Sequence, residues 1–272
     1  MIADLDLIDI KTLNKLINET YSIDFGDYAT TSYKRRVEKA GNSLHISTFD
    51  VLLDKIKTDV NFFERFCSNM VVDTTEFFRD PSFWRKIREE VLSKFKSNNT
   101  VRIWMAGCST GEELLTLAII LKEEGLYDKC KILATEINDI ALMKVKNATY
   151  DSKSLETAES NYERYEGKKK LADYYTEING EISFKQELLS NVNFQAKHLD
   201  DQTSSSKFDL ILCRNILIYF NPALQDRVLQ NFSNSLFPNG FLALGVKESI
   251  ERSKSNNDFI IVSTEENILK KK

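Results

Sequence analysis

A loop of small and acidic residues follows the apolar segment Val101–Met105. It reads Gly107-Cys108-Ser109-Thr110-Gly111-Glu112-Glu113, and a helical pattern begins where it ends. Small residues let backbone amides approach a ligand closely. The loop matches neither GxGxxG nor GxxxxGKS/T, which disfavours a nicotinamide dehydrogenase and a P-loop nucleotidase. The two glutamates would repel a pyrophosphate but not a cationic or hydroxyl-bearing ligand, and they equally suit a tight turn at a helix start.

A second acid follows the next apolar segment. Glu136 lies about 25 residues beyond Gly111, near the spacing at which an acid binds ribose hydroxyls in Rossmann-type folds. A carboxylate accepts two hydrogen bonds from a vicinal diol. Together with the acidic glycine loop, this acid points to S-adenosylmethionine, which carries a sulfonium, an amino group and a ribose diol. A solvated acid or a helix-capping residue is the alternative interpretation.

A third polar group ends a later apolar run. Arg214-Asn215 follows Cys213, and Tyr219 comes shortly afterwards, which is a plausible pocket floor. We interpret Cys213 as a small buried apolar residue rather than a nucleophile, because nothing near it in the sequence would lower its pKa.

The elements around these residues predict an α/β fold. In an open sheet, ligands bind beyond the carboxyl ends of the strands, where all three polar groups fall. From Val101 onward, short apolar runs alternate with helical patterns, which favours a mostly parallel sheet covered on both faces. The predicted strands are Val101–Met105, Lys131–Thr135, Val192–Ala196, Phe208–Cys213, Phe241–Gly245 and Phe259–Ser263, and the predicted helices are Glu112–Glu124, Asp139–Asn147 and Pro222–Leu236.

Residues 1–95 instead predict an all-α N-terminal domain, followed by the α/β domain over 96–272. One of its helices carries Tyr33–Lys39 and is expected to stop at Gly41-Asn42. Within the α/β domain, Asn179-Gly180 is a strong hairpin signal, since both turn residues need positive φ. It predicts a small inserted antiparallel β-subdomain at about residues 168–190.

Composition narrows the class of protein. The 272 residues carry 37 Lys and Arg against 41 Asp and Glu, a net charge of −4, which argues against a general nucleic-acid binder. No apolar run approaches the roughly 20 residues of a membrane helix, so no membrane insertion is expected. Four scattered cysteines and two histidines make a structural metal site improbable and favour a reduced, cytoplasmic compartment.

Three segments together resemble one family. Thr74–Arg79, Gly107–Glu113 and Cys213–Phe220 look like the motifs of the chemotaxis receptor methyltransferases, the CheR family, in the same order and at similar separations. The resemblance implies a Rossmann-like class I S-adenosylmethionine-dependent methyltransferase domain. It also implies transfer of a methyl group to glutamate side chains of transmembrane chemoreceptors, at receptor arrays in the cytoplasm.

The resemblance also assigns residues. Arg79 and Tyr219 are expected to orient the reacting groups, with Tyr219 beside the methyl group. Glu136, His198 and Asp73 stand where the family more often has Asp, Asn and Asn. The expected cofactor contacts are Asp73, Thr75, Arg79, Gly107, Glu113, Glu136, His198, Leu199, Arg214 and Asn215.

Receptor recognition is expected on one basic helix. Arg35, Arg36 and Lys39 could meet the acidic methylation helices of a receptor, although an ordinary solvated helix face has the same pattern. In some family members the β-subdomain binds a C-terminal receptor peptide, and the sequence does not decide this. A methyltransferase with another acceptor, or a non-catalytic module that binds the cofactor or its product, are the alternative functions.

Overall fold

The computed structural model describes residues 2, 4–21, 25–70, 75–201 and 206–272. The chain divides into two compact units. The helical unit comprises Met1–Asp73 with Leu217–Gln225, and the sheet unit comprises Thr74–Ile216 with Asp226–Lys272. The division falls earlier than residue 95, where the sequence places it. Phe83 and Trp84 are fully buried in the core of the sheet unit, which explains why this stretch belongs there.

The helical unit is built from amphipathic helices around an apolar core. Its core residues include Leu13, Val37, Leu52 and Phe66, each fully buried. The helices are α1 (Leu7–Tyr21), α2 (Thr30–Ser43), α3 (Phe49–Thr58) and α4 (Val60–Met70).

Helix α2 does not stop at Gly41-Asn42, so that prediction is wrong. Both residues serve packing against Ile2 instead. A Cβ on Gly41 would lie 2.7 Å from Ile2 Cδ1, so a larger residue there would require the end of the Ile2 side chain to move. Asn42 accepts the Ile2 N–H at 2.8 Å and donates to the Ile2 carbonyl at 3.0 Å. Ile2 lies far from Gly41 and Asn42 in the sequence, so the local pattern at the end of the helix does not reveal these contacts.

The sheet unit has the predicted Rossmann-like architecture. The strands of its main sheet are β1 (Val101–Ala106), β2 (Cys130–Glu136), β6 (Val192–Ala196), β7 (Phe208–Cys213), β8 (Leu236–Leu244), β9 (Phe259–Ser263) and β10 (Ile268–Lys271). They lie in the order β6-β2-β1-β7-β8-β10-β9, in which β10 runs antiparallel to both neighbours and the other pairs are parallel. The helices of this part of the chain are α5 (Pro81–Lys86), α6 (Glu112–Glu123), α7 (Asp139–Asn147), α8 (Leu155–Tyr165) and α9 (Pro222–Ser235), the last of which begins in the helical unit.

The predicted antiparallel insertion is present and larger than expected. Asn179 and Gly180 have φ of 53° and 84°, and they join β4 (Tyr175–Ile178) to β5 (Glu181–Phe184). The sequence places the insertion at about 168–190, but β3 (Thr149–Asp151) also pairs with β5 and precedes that range. Within the described ranges, no helix is both long and apolar enough to cross a bilayer.

A buried side-chain hydrogen bond joins the two central strands. Trp104 Nε1 on β1 donates to Thr135 Oγ1 on β2 at 2.9 Å, and both residues are fully inaccessible. The Thr135 carbonyl accepts the amides of Gly107 and Cys108 at 2.8 and 2.9 Å. Position 135 therefore fixes both the strand pair and the start of the glycine loop.

Thr135→Val keeps the side-chain shape but removes the acceptor of the Trp104 N–H. We expect a loss of about 1–3 kcal/mol in the free energy of unfolding, because a buried donor is left unpaired. Urea unfolding measures it. In a Trp104→Phe background the same change should be much less damaging. An equal loss in both backgrounds would show that the hydrogen bond is not the cause.

Candidate active site

A buried arginine lies directly after the central strand β7. The Arg214 side chain is completely inaccessible, and its guanidinium donates to Glu113 Oε1 at 2.6 Å and to the Asp80 carboxylate. Its carbon Cζ lies 3.9 Å from the centre of the Phe83 ring. These partners come from the segment before α5, from α5 itself and from the first turn of α6. The sequence motif around Arg79 and the glycine loop are thus held together by one side chain.

The charges around Arg214 act on Glu113. Burial raises the pKa of Glu113, while Arg214 and Arg79 oppose that rise and Asp80 adds to it. Arg79 is therefore within electrostatic range of the cluster, as the expected site requires. The four groups carry two positive and two negative charges when all are ionised, so each charge has an opposite charge near it, and the Asp80 side chain remains 43% exposed.

The glycine loop is shaped by two positive-φ glycines. Gly107 has φ of 74°, and a Cβ there would lie 2.1 Å from Ile216 Cδ1. Gly111 has φ of 96°, and a Cβ there would lie 2.0 Å from Val145 Cγ2. The Tyr150 hydroxyl donates to the Thr110 carbonyl at 2.6 Å. Sequence reasoning missed Tyr150, since nothing near it in the chain marks it as part of this loop.

Glu136 ties the loops after β1 and β2 together. Its Oε2 accepts the Ser109 N–H at 3.0 Å, and its Oε1 accepts the amides of Ile137 and Asn138 at 2.9 and 3.1 Å. A glutamate is long enough to fold back and reach these amides while staying at the carboxyl end of its strand. The predicted ribose-binding acid is thus also a structural link.

The predicted pair after β6 lies beside the same strand end. The Lys197 N–H donates to the Glu136 carbonyl at 3.2 Å, which brings the end of β6 to the end of β2. The exposed His198 donates its backbone N–H to Asp201 Oδ2 at 3.1 Å, and the Leu199 carbonyl accepts Asn231 Nδ2 at 2.8 Å.

Asn215 departs from ordinary backbone geometry. Its φ is 61°, and its side-chain Oδ1 is buried with no hydrogen-bond donor in range among the described residues. Its backbone N–H and that of Ile216 donate to the Glu248 carboxylate at 3.1 and 2.8 Å. Sequence reasoning did not select Glu248, although an acid three residues after Gly245 at the end of a strand was an available signal.

Two expected cofactor contacts, Thr75 and Asp73, precede the Arg79 segment. Thr75 is half-buried just before the Arg79 segment. Asp73 lies outside the described residues. Among the residues that are described, no group of three or more His, Cys, Asp or Glu could hold a metal ion.

Tyr219 is held within the helical unit. The Arg36 guanidinium stacks on its ring at 3.7 Å, and the Tyr219 carbonyl accepts the Ala29 N–H at 2.9 Å. Arg35 and Lys39 are exposed and four residues apart on α2, so they share one face. The three predicted recognition residues therefore do not form one surface, because Arg36 turns to the tyrosine.

The sheet-unit groups fit S-adenosylmethionine. The buried Asn215 Oδ1, which has no donor in range within the part of the chain that the structure describes, is an acceptor available to a donor group. Glu136, at the carboxyl end of β2, is of the residue type that accepts hydrogen bonds from a diol. We expect the cofactor on these groups together with Arg214, Glu113 and the glycine loop.

The raised pKa of Glu113 predicts a pH-dependent stability. The folded protein keeps this proton to higher pH than the unfolded chain, so the stabilisation is complete below the ordinary value of 4.5 and is lost as the pH rises through the raised pKa. Glu113→Gln mimics the protonated form. The free energy of unfolding of the wild type, minus that of Glu113→Gln, should therefore fall over this range of pH.

The exposed Glu187→Gln controls for removal of one carboxylate, and its pH curve should run parallel to the wild type. Denaturant titrations at several pH values provide the measurement. A difference between wild type and Glu113→Gln that instead grows with pH would mean that the two arginines outweigh burial.

Comparison with known proteins identifies the family of this chain. Residues 73–268 match the model of the CheR methyltransferase SAM-binding domain, and residues 8–71 match the CheR methyltransferase all-alpha domain. A relative provisionally named methyltransferase Cher3, from Pseudomonas putida, is 37% identical over 93% of this chain and 92% of its own length.

Two further relatives are named chemotaxis protein methyltransferase. That of Listeria monocytogenes is 27% identical over 92% of this chain and 93% of its own. That of Borreliella burgdorferi is 30% identical over 86% of this chain and 78% of its own. With both family domains matched in order along the chain, this protein belongs to the CheR methyltransferase family and uses S-adenosylmethionine.

Proposed function

We propose that this protein transfers a methyl group from S-adenosylmethionine to glutamate side chains of transmembrane chemoreceptors, forming methyl esters. The support that carries most weight is the pairing of the two family domains with relatives named chemotaxis protein methyltransferase. The exposed basic pair Arg35 and Lys39 adds a surface for an acidic partner. We place the reaction in the cytoplasm, at receptor arrays.

Methylation of a carboxylate requires few catalytic groups from the protein. S-adenosylmethionine supplies an electrophilic methyl group. A glutamate side chain has a pKa of about 4.3, so it is already a nucleophilic carboxylate at neutral pH. No general base is needed, and the residues need only align the carboxylate for in-line displacement and exclude water.

The cysteines near the cofactor groups do not offer a covalent route. Burial raises the pKa of Cys213 and of Cys108, with nearby carboxylates adding to the rise. Both thiols therefore stay protonated, and a thiol is a poor nucleophile compared with a thiolate. This favours direct transfer to the acceptor over a methylated enzyme intermediate.

We assign roles residue by residue. Arg79 and Tyr219 orient the reacting groups, with Arg36 stacked on Tyr219 to fix its ring. Glu136 binds the ribose and Arg214 shapes the pocket floor through Asp80 and Glu113. The other cofactor contacts proposed are Asp73, Thr75, Gly107, His198, Leu199 and Asn215.

The β-subdomain offers a second receptor contact. β4 is an edge strand of the three-stranded sheet, and its Ile178 is 69% exposed. An extended peptide could add to this edge by main-chain hydrogen bonds, with Ile178 as an apolar contact. We propose a C-terminal receptor peptide there, which would raise the local concentration of the enzyme.

The reaction is tested by transfer of labelled methyl groups to receptor-bearing membranes, followed by alkali. Methyl esters release volatile labelled methanol in base, whereas N-methyl groups do not. We expect volatile label, and a rate lowered on the order of tenfold or more by Tyr219→Phe or Arg79→Ala, because alignment is lost. The exposed Lys57→Glu is the control and should keep its rate.

Each other outcome has a defined meaning. Base-stable label would point to a different acceptor with the same cofactor. An absence of label despite binding of S-adenosylhomocysteine and a matched receptor would favour a non-catalytic signalling module.

The basic face of α2 gives a separate prediction. Reversing both charges with Arg35→Glu and Lys39→Glu should raise the KM for receptor about tenfold and leave kcat nearly unchanged, since these residues steer binding and not chemistry. The effect should shrink at high salt, where exposed charges are screened. Steady-state kinetics against receptor concentration measure it. If Lys57→Glu raises KM equally, the recognition is not specific to this face.

A further inference from the structure

A buried carboxylate that follows β8 holds the backbone of the Arg214-Asn215 turn. Glu248 is only 7% exposed and follows β8 by a few residues. Its Oε1 accepts the Ile216 N–H at 2.8 Å, while its Oε2 accepts the N–H groups of Asn215, at 3.1 Å, and Gly245. Three backbone donors from two different loops thus converge on one side chain.

The local backbone explains why an acid is needed there. Asn215 is in the left-handed region with φ of 61°. Its amide and the next one donate to the same carboxylate, the arrangement of successive amides that forms an anion-binding concavity. Among the described residues, no helix or strand carbonyl accepts these amides, and Glu248 is the acceptor that satisfies them.

The loop that carries Glu248 is itself fixed. A Cβ on Gly245 would lie 2.8 Å from Glu248 Oε2 and 2.9 Å from the Asn215 nitrogen, so only glycine admits this approach. Asn267 Nδ2 donates to the carbonyls of Gly245 and Glu248 at 2.9 and 2.8 Å. The carboxylate therefore has a defined position before any ligand arrives.

We propose that Glu248 is a positioning residue for cofactor binding. By fixing the backbone at Asn215 and Ile216, it sets the direction of the Asn215 side chain, whose Oδ1 is buried and unpartnered within the described residues. That oxygen then meets a hydrogen-bond donor of the cofactor. The same turn begins at Arg214, so the carboxylate also preserves the geometry of the buried ion pairs.

Glu248→Gln tests this directly. Whichever way the amide group turns, its NH₂ faces a backbone N–H, so at least one amide loses its acceptor. We expect the Kd for S-adenosylhomocysteine, measured by calorimetry on the full chain, to rise about tenfold. Glu251→Gln removes one exposed carboxylate from the same loop and should leave the Kd unchanged.

A spectroscopic measurement separates positioning from general stability. In Glu248→Gln the amide proton resonances of Asn215, Ile216 and Gly245 should move upfield, because bonds to a carboxylate are the stronger ones. The proposal is overturned if those resonances move and the Kd does not. It is also overturned if the Kd rises only at temperatures where circular dichroism shows partial unfolding.

The wild-type protein provides a test that no folding defect can obscure. On binding S-adenosylhomocysteine, the side-chain and backbone resonances of Asn215 should shift, and those of Glu251 should not. Unchanged Asn215 resonances at saturation would overturn the proposal. None of these measurements needs a receptor, so they remain valid if the acceptor proves not to be glutamate.

Discussion

The sheet unit depends on the burial of one guanidinium. The Arg214 side chain is removed from water completely, and two carboxylates and an aromatic face replace part of its hydration. Within the described residues its Nε has no hydrogen-bond acceptor. Removing one partner of such a pair typically destabilises a protein by about 3–5 kcal/mol. Asp80 and Phe83 lie at the start of α5, and Glu113 lies in the first turn of α6, so this one side chain fixes the relative positions of these two segments.

The same burial governs the electrostatics of the site. Glu113 cannot be ionised freely, because burial opposes its charge, yet Arg214 and Arg79 both favour it. The charges of this cluster balance when its members are ionised. Changing one member removes electrostatic stabilisation from the others. A balanced cluster suits a pocket for a cationic cofactor, since it offers fixed dipoles without a large net field.

Local patterns predicted most strands, and they failed where contacts are distant. The runs of β1 and β7 are mostly apolar because these strands are largely buried, and the sequence predicts both nearly to the residue. β6 is also predicted, although its residues are half-buried or exposed and include Asn193 and Gln195. β3 has three residues, and β10 mixes isoleucine and leucine with two lysines, so neither shows a strong period. Asn42 was read as a stop signal, but its role is to pair with Ile2, forty residues earlier in the chain.

In the site, too, local patterns predict some residues and miss those that depend on distant contacts. The glycine loop, Glu136 and the Arg214-Asn215 pair could be located because their spacing along the chain follows the strand ends. The partners of these residues could not. Nothing in the local sequence brings Arg36 onto the Tyr219 ring, or Glu248 onto the amides of Asn215 and Ile216. Spacing along the chain therefore predicts the motif residues. The residues that hold them in place depend on long-range packing, and only the three-dimensional structure identifies them.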